Sequence, residues 1–230
     1  MNIKRISGTG GAVVLAALAI APQVLAQGNS GKSTPPANAV NLDAKPNPVV
    51  FSAVTTLSGK VSGDTKAGVV IRFEQDTTKP YGDKYTPAAL TATTKAGGQF
   101  TLAYKPAVNT QLRAIAQASP PVTSNARLVM VRPLVGLRVS DSTPRRGSLV
   151  TFSGSVFPPH DGQRALIQRR TASGGWLTVA RPGLRDAGTV KSTYTRRLRI
   201  FRDAVYRVKV AGDGDHVNGF SRLRTLTVHG

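Results

Sequence analysis

Thr151-Phe152-Ser153-Gly154-Ser155-Val156, "TFSGSV", decides how this chain is built, because the chain writes it twice. Thr56-Leu57-Ser58-Gly59-Lys60-Val61 carries the same pattern 95 residues earlier. The stretches that follow keep the order. Gly68 to Gln75 matches Gly162 to Arg169, and Gly98 through Tyr104 matches Gly188 through Tyr194. Gln111 to Ala116 matches Val205 to Val210, and Ser124 to Val129 matches Ser221 to Leu226. The offsets stay between 90 and 97, so the register drifts only through loops. Five ordered matches identify an internal repeat, and a repeat is a structural unit used twice.

Each unit is written in period two. Thr151 to Val156, Arg164 to Gln168 and Ala204 to Val210 are alternating or β-branched runs separated by Gly, Pro, Asn and Asp clusters. That pattern places one side chain in two against a core and predicts an all-β sandwich or barrel. Arg196 to Arg202, "RRLRIFR", puts Leu198 and Ile200 on one alternation and reads as a strand with a wet face. About seven strands in about 95 residues is the size of an immunoglobulin-like sandwich. The expected organisation is one sandwich over residues 39–132 and a second over 133–230. The junction at Arg132-Pro133 has no spare linker, which predicts an end-to-end pair with limited bending.

"VTFSGSV", "ALIQRR", "GGWLTVA" and "YRVKVAGDGDH" in this order resemble the Ig-like repeats of secreted and cell-surface bacterial proteins. The resemblance rests on Ser153-Gly154, Gln168-Arg169, Trp176, Gly188, Tyr206-Arg207 and Gly212-Asp213. It covers the second unit well. The first keeps Ser58-Gly59 and Gly98, lacks the tryptophan, and has Leu112 in place of Tyr206. The resemblance implies a β-sandwich and a spacer or adhesive role rather than a reaction. Trp176 is expected on the core or its edge, and Tyr206 at a tyrosine corner. The rival use of Trp176, Tyr81 and Tyr85 is sugar stacking.

The start of the chain reads as an export signal. Lys4 and Arg5 precede the apolar run Gly11 to Ala21, and Val24-Leu25-Ala26 suits cleavage before Gln27. Residues 1–26 are therefore expected to be a signal peptide, and the Gly, Ser and Pro-rich residues 27–38 a flexible linker. No second apolar run follows, so no integral membrane span is expected after cleavage. The end carries neither a sorting motif nor an apolar tail, which predicts non-covalent anchoring. The location expected is secreted or at the cell surface. The chain has no cysteine, which excludes disulfides, thiolate nucleophiles and Cys-ligated metals.

Charge is the other compositional signal. The net charge is +20. Residues 39–132 carry 11 Lys and Arg against 5 acids; residues 133–230 carry 17 against 6. A surplus of this kind attracts polyanions. The candidate contacts are Arg164, Arg196, Arg197, Arg199, Arg202, Arg207 and Lys209, with an acidic polysaccharide or cell-wall polymer as the partner. Aromatic residues are sparse around them, so no sequence-specific nucleic-acid recognition is expected.

Candidates for catalysis are few. The three histidines are His160, His216 and His229, and no Gly-x-Ser-x-Gly elbow or His-x-x-x-His pair occurs. Asp213, His216 and Ser221 sit in one stretch, "GDGDHVNGFS", and would be the residues of an unrecognised hydrolase. The same stretch begins like a calcium loop and then fails, with Val217 at the fifth position and Arg224 where a bidentate glutamate belongs. It reads as a solvated turn between the last two strands. No catalytic residue, metal ligand or cofactor is assigned. Asp76 to Ala89 forms a loop specific to the first unit. The favoured function is an exported, non-enzymatic structural or adhesive module. The alternative is a basic binding module for acidic glycans or wall polymers.

Overall fold

The structure is a computed structural model that describes residues 39–64 and 66–230. The expected signal peptide and linker lie outside the described residues. Among the described residues all regular structure is β. One sandwich contains β1 (Ala39–Val40), β2 (Asp43–Lys45), β3 (Val49–Val50), β4 (Thr55–Ser62), β5 (Val70–Asp76), β6 (Thr86–Thr93), β7 (Gln99–Tyr104), β8 (Thr110–Ala116), β9 (Val122–Thr123), β10 (Arg127–Val129) and β11 (Val131–Arg132). The other contains β12 (Leu134–Val135), β13 (Arg138–Val139), β14 (Ser148–Phe157), β15 (Ala165–Arg170), β16 (Trp176–Ala180), β17 (Arg185–Asp186), β18 (Ser192–Ile200), β19 (Ala204–Val210), β20 (Gly219–Phe220) and β21 (Arg224–Leu226).

Strand order identifies the fold. In the second sandwich β12 and β13 pair with β14, then β18, then β17; the facing sheet runs β16, β15, β19, with β20 and β21 on its far edge. In letters this is A-B-E-D against C′-C-F-G, the immunoglobulin arrangement with one strand added beside C. The first sandwich repeats it as β1 and β2 on β4 and β7, against β6, β5, β8 and β9 with β10. Among the described residues it has no counterpart of β17. The parallel pairing of β3 with β11 is mirrored in the second sandwich by the parallel bridge of Arg145 with His229. The chain is thus two tandem immunoglobulin-like sandwiches.

The repeated Ser-Gly has a packing cause. Gly59 lies opposite Phe100, and Gly154 lies opposite Tyr194. A Cβ on Gly59 would stand 2.1 Å from the Asn41 carbonyl oxygen, and one on Gly154 2.1 Å from that of Gly136. Both glycines exist because the first strand crosses over them at backbone contact. They also correct the register read from sequence. The partner of Tyr194 is Phe100, not Tyr104, because β7 starts directly after Gly98 while β18 starts four residues after Gly188. The Tyr194 hydroxyl donates to the Gly136 carbonyl at 2.6 Å, and burial holds its pKa far above the usual phenol range. Tyr206, expected as the corner tyrosine, instead packs its ring on Phe152 at 5.1 Å.

Each sandwich has its own core. Leu57, Ile71, Phe73, Phe100 and Leu112 anchor the first; Phe152, Ile167, Tyr194, Tyr206 and Leu226 anchor the second. The edge-to-face ring pair comes from different strands in each: Phe73 of β5 faces Phe100 of β7 in the first, Phe152 of β14 faces Tyr206 of β19 in the second.

Ser124 and Ser221 recur for a backbone reason. Each hydroxyl accepts a buried strand N–H, from Ala114 or Val208, at 2.9 Å. Each then donates to the next carbonyl, of Asn125 or Arg222. Both roles of the Ser221 hydroxyl are therefore taken by the main chain, as they are in its twin.

The stretch "GDGDHVNGFS" joins β19 to the strands after it, and it is not a free turn. Asn109 donates its N–H to the Asp215 carbonyl at 2.7 Å, and Val217 donates to the Val131 carbonyl at 2.8 Å. Tyr81, from the loop specific to the first sandwich, reaches the Gly214 carbonyl at 3.4 Å. His216 is buried, with its ring 6.4 Å from that of Phe51. The loop is docked on the first sandwich. Sequence alone reads it as solvated because the surface that covers it lies about a hundred residues away.

Candidate functional site

The seven basic residues singled out from sequence divide between two sheets. Arg196, Arg197 and Arg199 lie on β18, and Arg202 follows it. Arg207 and Lys209 lie on β19 of the facing sheet, opposite Gln168 and Leu166, and Arg164 immediately precedes β15. The chain crosses from one sheet to the other between β18 and β19, so these neighbours in sequence end on different sheets. Several are also engaged. Arg199 donates to the Gly147 carbonyl and Arg164 to the Arg181 carbonyl.

Arg207 is structural. Its guanidinium lies 4.0 Å over the Trp176 ring and 4.6 Å from the Phe220 ring, and its Nε donates to Gln168 at 2.9 Å. Burial lowers its pKa from the usual arginine value. The first sandwich builds the same motif. Arg113 lies 4.1 Å over the Tyr85 ring and pairs with Glu74 through Nε at 2.6 Å. Register makes Tyr85 the counterpart of Trp176, since Thr86 faces Gln75 as Leu177 faces Arg169. The tryptophan is thus replaced rather than absent. With an arginine covering one face in each case, Tyr85 and Trp176 are half committed as stacking platforms.

A different set of cations converges. A groove of about 890 Å³ runs along the first strands of the second sandwich. Arg138, Arg185, Lys191, Arg222 and Arg224 line it, together with Ser153, Ser155, Thr193 and Thr195. No acidic residue lines it. Among the described residues, no Lys or Arg of residues 133–230 lies within 4.0 Å of a carboxylate. The positive field of the groove is therefore not neutralised locally, and its hydroxyls and guanidinium forks suit carboxylate, sulfate or phosphate oxygens. Of these five cations, only Arg224 stands out in the sequence, as a departure from a calcium loop. Their convergence depends on three strands and two strand-linking segments whose adjacency only the folded sheets supply.

No known family's sequence profile matches this chain, and no curated protein matches it in sequence. Among solved structures it is similar to bovine butyrophilin, at 9% identity and a TM-score of 0.36, over 84% of this chain and 100% of that one. The fold assignment rests on the strand order. Among the described residues, no helix is long and apolar enough to cross a membrane.

Proposed function

We propose that this protein is an exported, non-enzymatic adhesive module whose second sandwich holds an acidic polymer in the basic groove. The groove carries the proposal: five cations line it and no acid does. A polymer of carboxylated or sulfated sugars, or a phosphate-linked wall polymer, fits that chemistry. The first sandwich serves as a spacer with a smaller charge surplus. The seven candidate positions from sequence contribute general attraction, and the groove contributes the seat. Binding of this type weakens steeply with salt, because bound counterions are released.

The test compares two double variants of equal net charge on a dextran sulfate column. Arg222→Glu with Arg224→Glu alters the groove; Arg196→Glu with Arg197→Glu alters β18. The groove pair is expected to elute at clearly lower salt than the β18 pair. Equal elution would show that net charge alone drives retention and would end the groove assignment.

A further inference from the structure

At the junction of the sandwiches three side chains point at one another. His160 comes from the loop between β14 and β15; Asp213 and His216 come from the loop after β19. His160 Nε2 lies 3.3 Å from Asp213 Oδ2, and His216 Nδ1 lies 3.3 Å from Asp213 Oδ1. One donor atom from each residue falls within 4.8 Å of the other two. The His160 side chain is 1% exposed, that of His216 6%, and that of Asp213 33%.

Hydrogen bonding decides which way the rings present their protons. His160 Nδ1 is 2.8 Å from the Pro158 carbonyl oxygen, and His216 Nε2 is 3.0 Å from that of Ala107. A carbonyl can only accept, so those nitrogens carry the N–H. The remaining nitrogens, His160 Nε2 and His216 Nδ1, then hold lone pairs in the neutral ring. Both face the Asp213 carboxylate, itself an acceptor. His160 Nε2 is buried with no hydrogen-bond partner. Three electron-pair donors facing one another in a mostly buried space call for a cation between them.

We infer that His160, Asp213 and His216 form a binding site for a late first-row divalent metal, with Zn²⁺ as the best fit. Two imidazoles and a carboxylate form a known zinc donor set, and a tetrahedral ion with bonds of about 2.0–2.1 Å separates its ligand atoms by roughly 3.3–3.4 Å. Each ring nitrogen stands 3.3 Å from one Asp213 oxygen, His160 Nε2 from Oδ2 and His216 Nδ1 from Oδ1, so the carboxylate turns both oxygens toward the ion. The nitrogens disfavour calcium or magnesium, which take oxygen ligands. The outer contacts suit a metal as well. Each ring donates its far N–H to a backbone carbonyl, the arrangement that orients a ligating histidine. Asp213 Oδ1 is held by the N–H groups of Asp215 at 2.8 Å and His216 at 2.7 Å. Ser192 fixes the His160 backbone by accepting its N–H at 2.6 Å. The Ala107 carbonyl belongs to the first sandwich, so the ion would brace the contact between the two. In a chain without cysteine it acts as a junction staple.

The experiment uses the untagged full chain, stripped with chelator, and Zn²⁺ as the probe. Calorimetric titration near neutral pH is expected to show one ion per chain, and Zn²⁺ is expected to raise the melting temperature while Ca²⁺ leaves it unchanged. Co²⁺ in its place is expected to give the visible absorption of a tetrahedral site. His160→Ala and Asp213→Asn are expected to weaken Zn²⁺ by about 100-fold or more, since loss of outer partners alone costs about 10–100-fold. Asp213→Asn keeps an oxygen for the two loop N–H groups, and its metal-free melting temperature checks that it folds. His229→Ala is expected to bind as the parent does. Absence of a one-to-one isotherm in the parent would overturn the site. Equal Zn²⁺ affinity in the parent and Asp213→Asn would overturn it too, by placing the ion elsewhere.

Discussion

The two sandwiches share a frame and differ in what they hang on it. Both place a glycine under the first strand, a serine hydroxyl against a buried N–H of β8 or β19, and an arginine over a ring at the added strand. They diverge in two loops. The first sandwich has residues 77–85, organised by Asp76, whose carboxylate accepts the N–H groups of Thr78, Gly82 and Lys84. The second has the Asp213 loop. These two unshared segments meet each other, Tyr81 against Gly214. What the repeat keeps is what each sandwich needs to fold. What it does not keep builds the junction.

The frame can be broken most severely at its glycines. Gly154→Ala and Gly59→Ala each push a methyl into a backbone carbonyl that cannot yield. Each is expected to destabilise its own sandwich by about 3 kcal/mol or more in denaturant unfolding. Markedly unequal losses would mean the two positions are not equivalent.

The serines come next. Ser124→Ala and Ser221→Ala each leave a buried strand N–H unpaired, a loss of about 1–3 kcal/mol in either sandwich. Equal losses identify Ser221 as structural. An intact stability with altered ligand behaviour would restore it as a functional hydroxyl.

A pH-dependent difference belongs to the first sandwich. The Thr78 N–H, opposed by burial and helped by the N–H groups of Gly82 and Lys84, holds the Asp76 carboxyl below the usual carboxylate range. A carboxyl depressed by folding adds stability that is present above its unfolded pKa of about 3.9 and is lost as pH falls through the lower folded value. Asp76→Asn is expected to lower stability near neutral pH and to flatten the acid limb of a thermal melt series. An unchanged acid limb would remove Asp76 as the loop's organiser.

The smallest effect concerns the ring motif. Exchanging the aromatics, Tyr85→Trp or Trp176→Tyr, is expected to shift stability by no more than about 0.5 kcal/mol. A loss well above that would show that the two arginine–ring stacks are not the same device.

Much of the fold was legible in the sequence. Alternation at Ala204 to Val210 reports a strand because facing water and facing core are decided residue by residue. The Ser-Gly twins report the tandem because the same backbone crossing needs the same absent side chain. The site was less readable. Tyr85 was not recognised as the counterpart of Trp176, since loop lengths shift the offset and a ring can change type under an arginine. The loop at Asp213 passed for a solvated turn because its cover is contributed by Ala107, Asn109 and Phe51.

Sequence by itself determined the all-β class, the duplication and the excess of positive charge, all of which are written in local alternation, in repeated small residues or in composition. Tertiary structure alone decided which cations share a surface and which histidine meets which carboxylate. The physical reason is the Greek-key path. It sends β18 and β19 to opposite sheets, so adjacent arginines part, and it brings the turn holding His160 against a loop more than fifty residues later. Local sequence sets the face a residue occupies within its strand, but only the packed sheets set what that face meets.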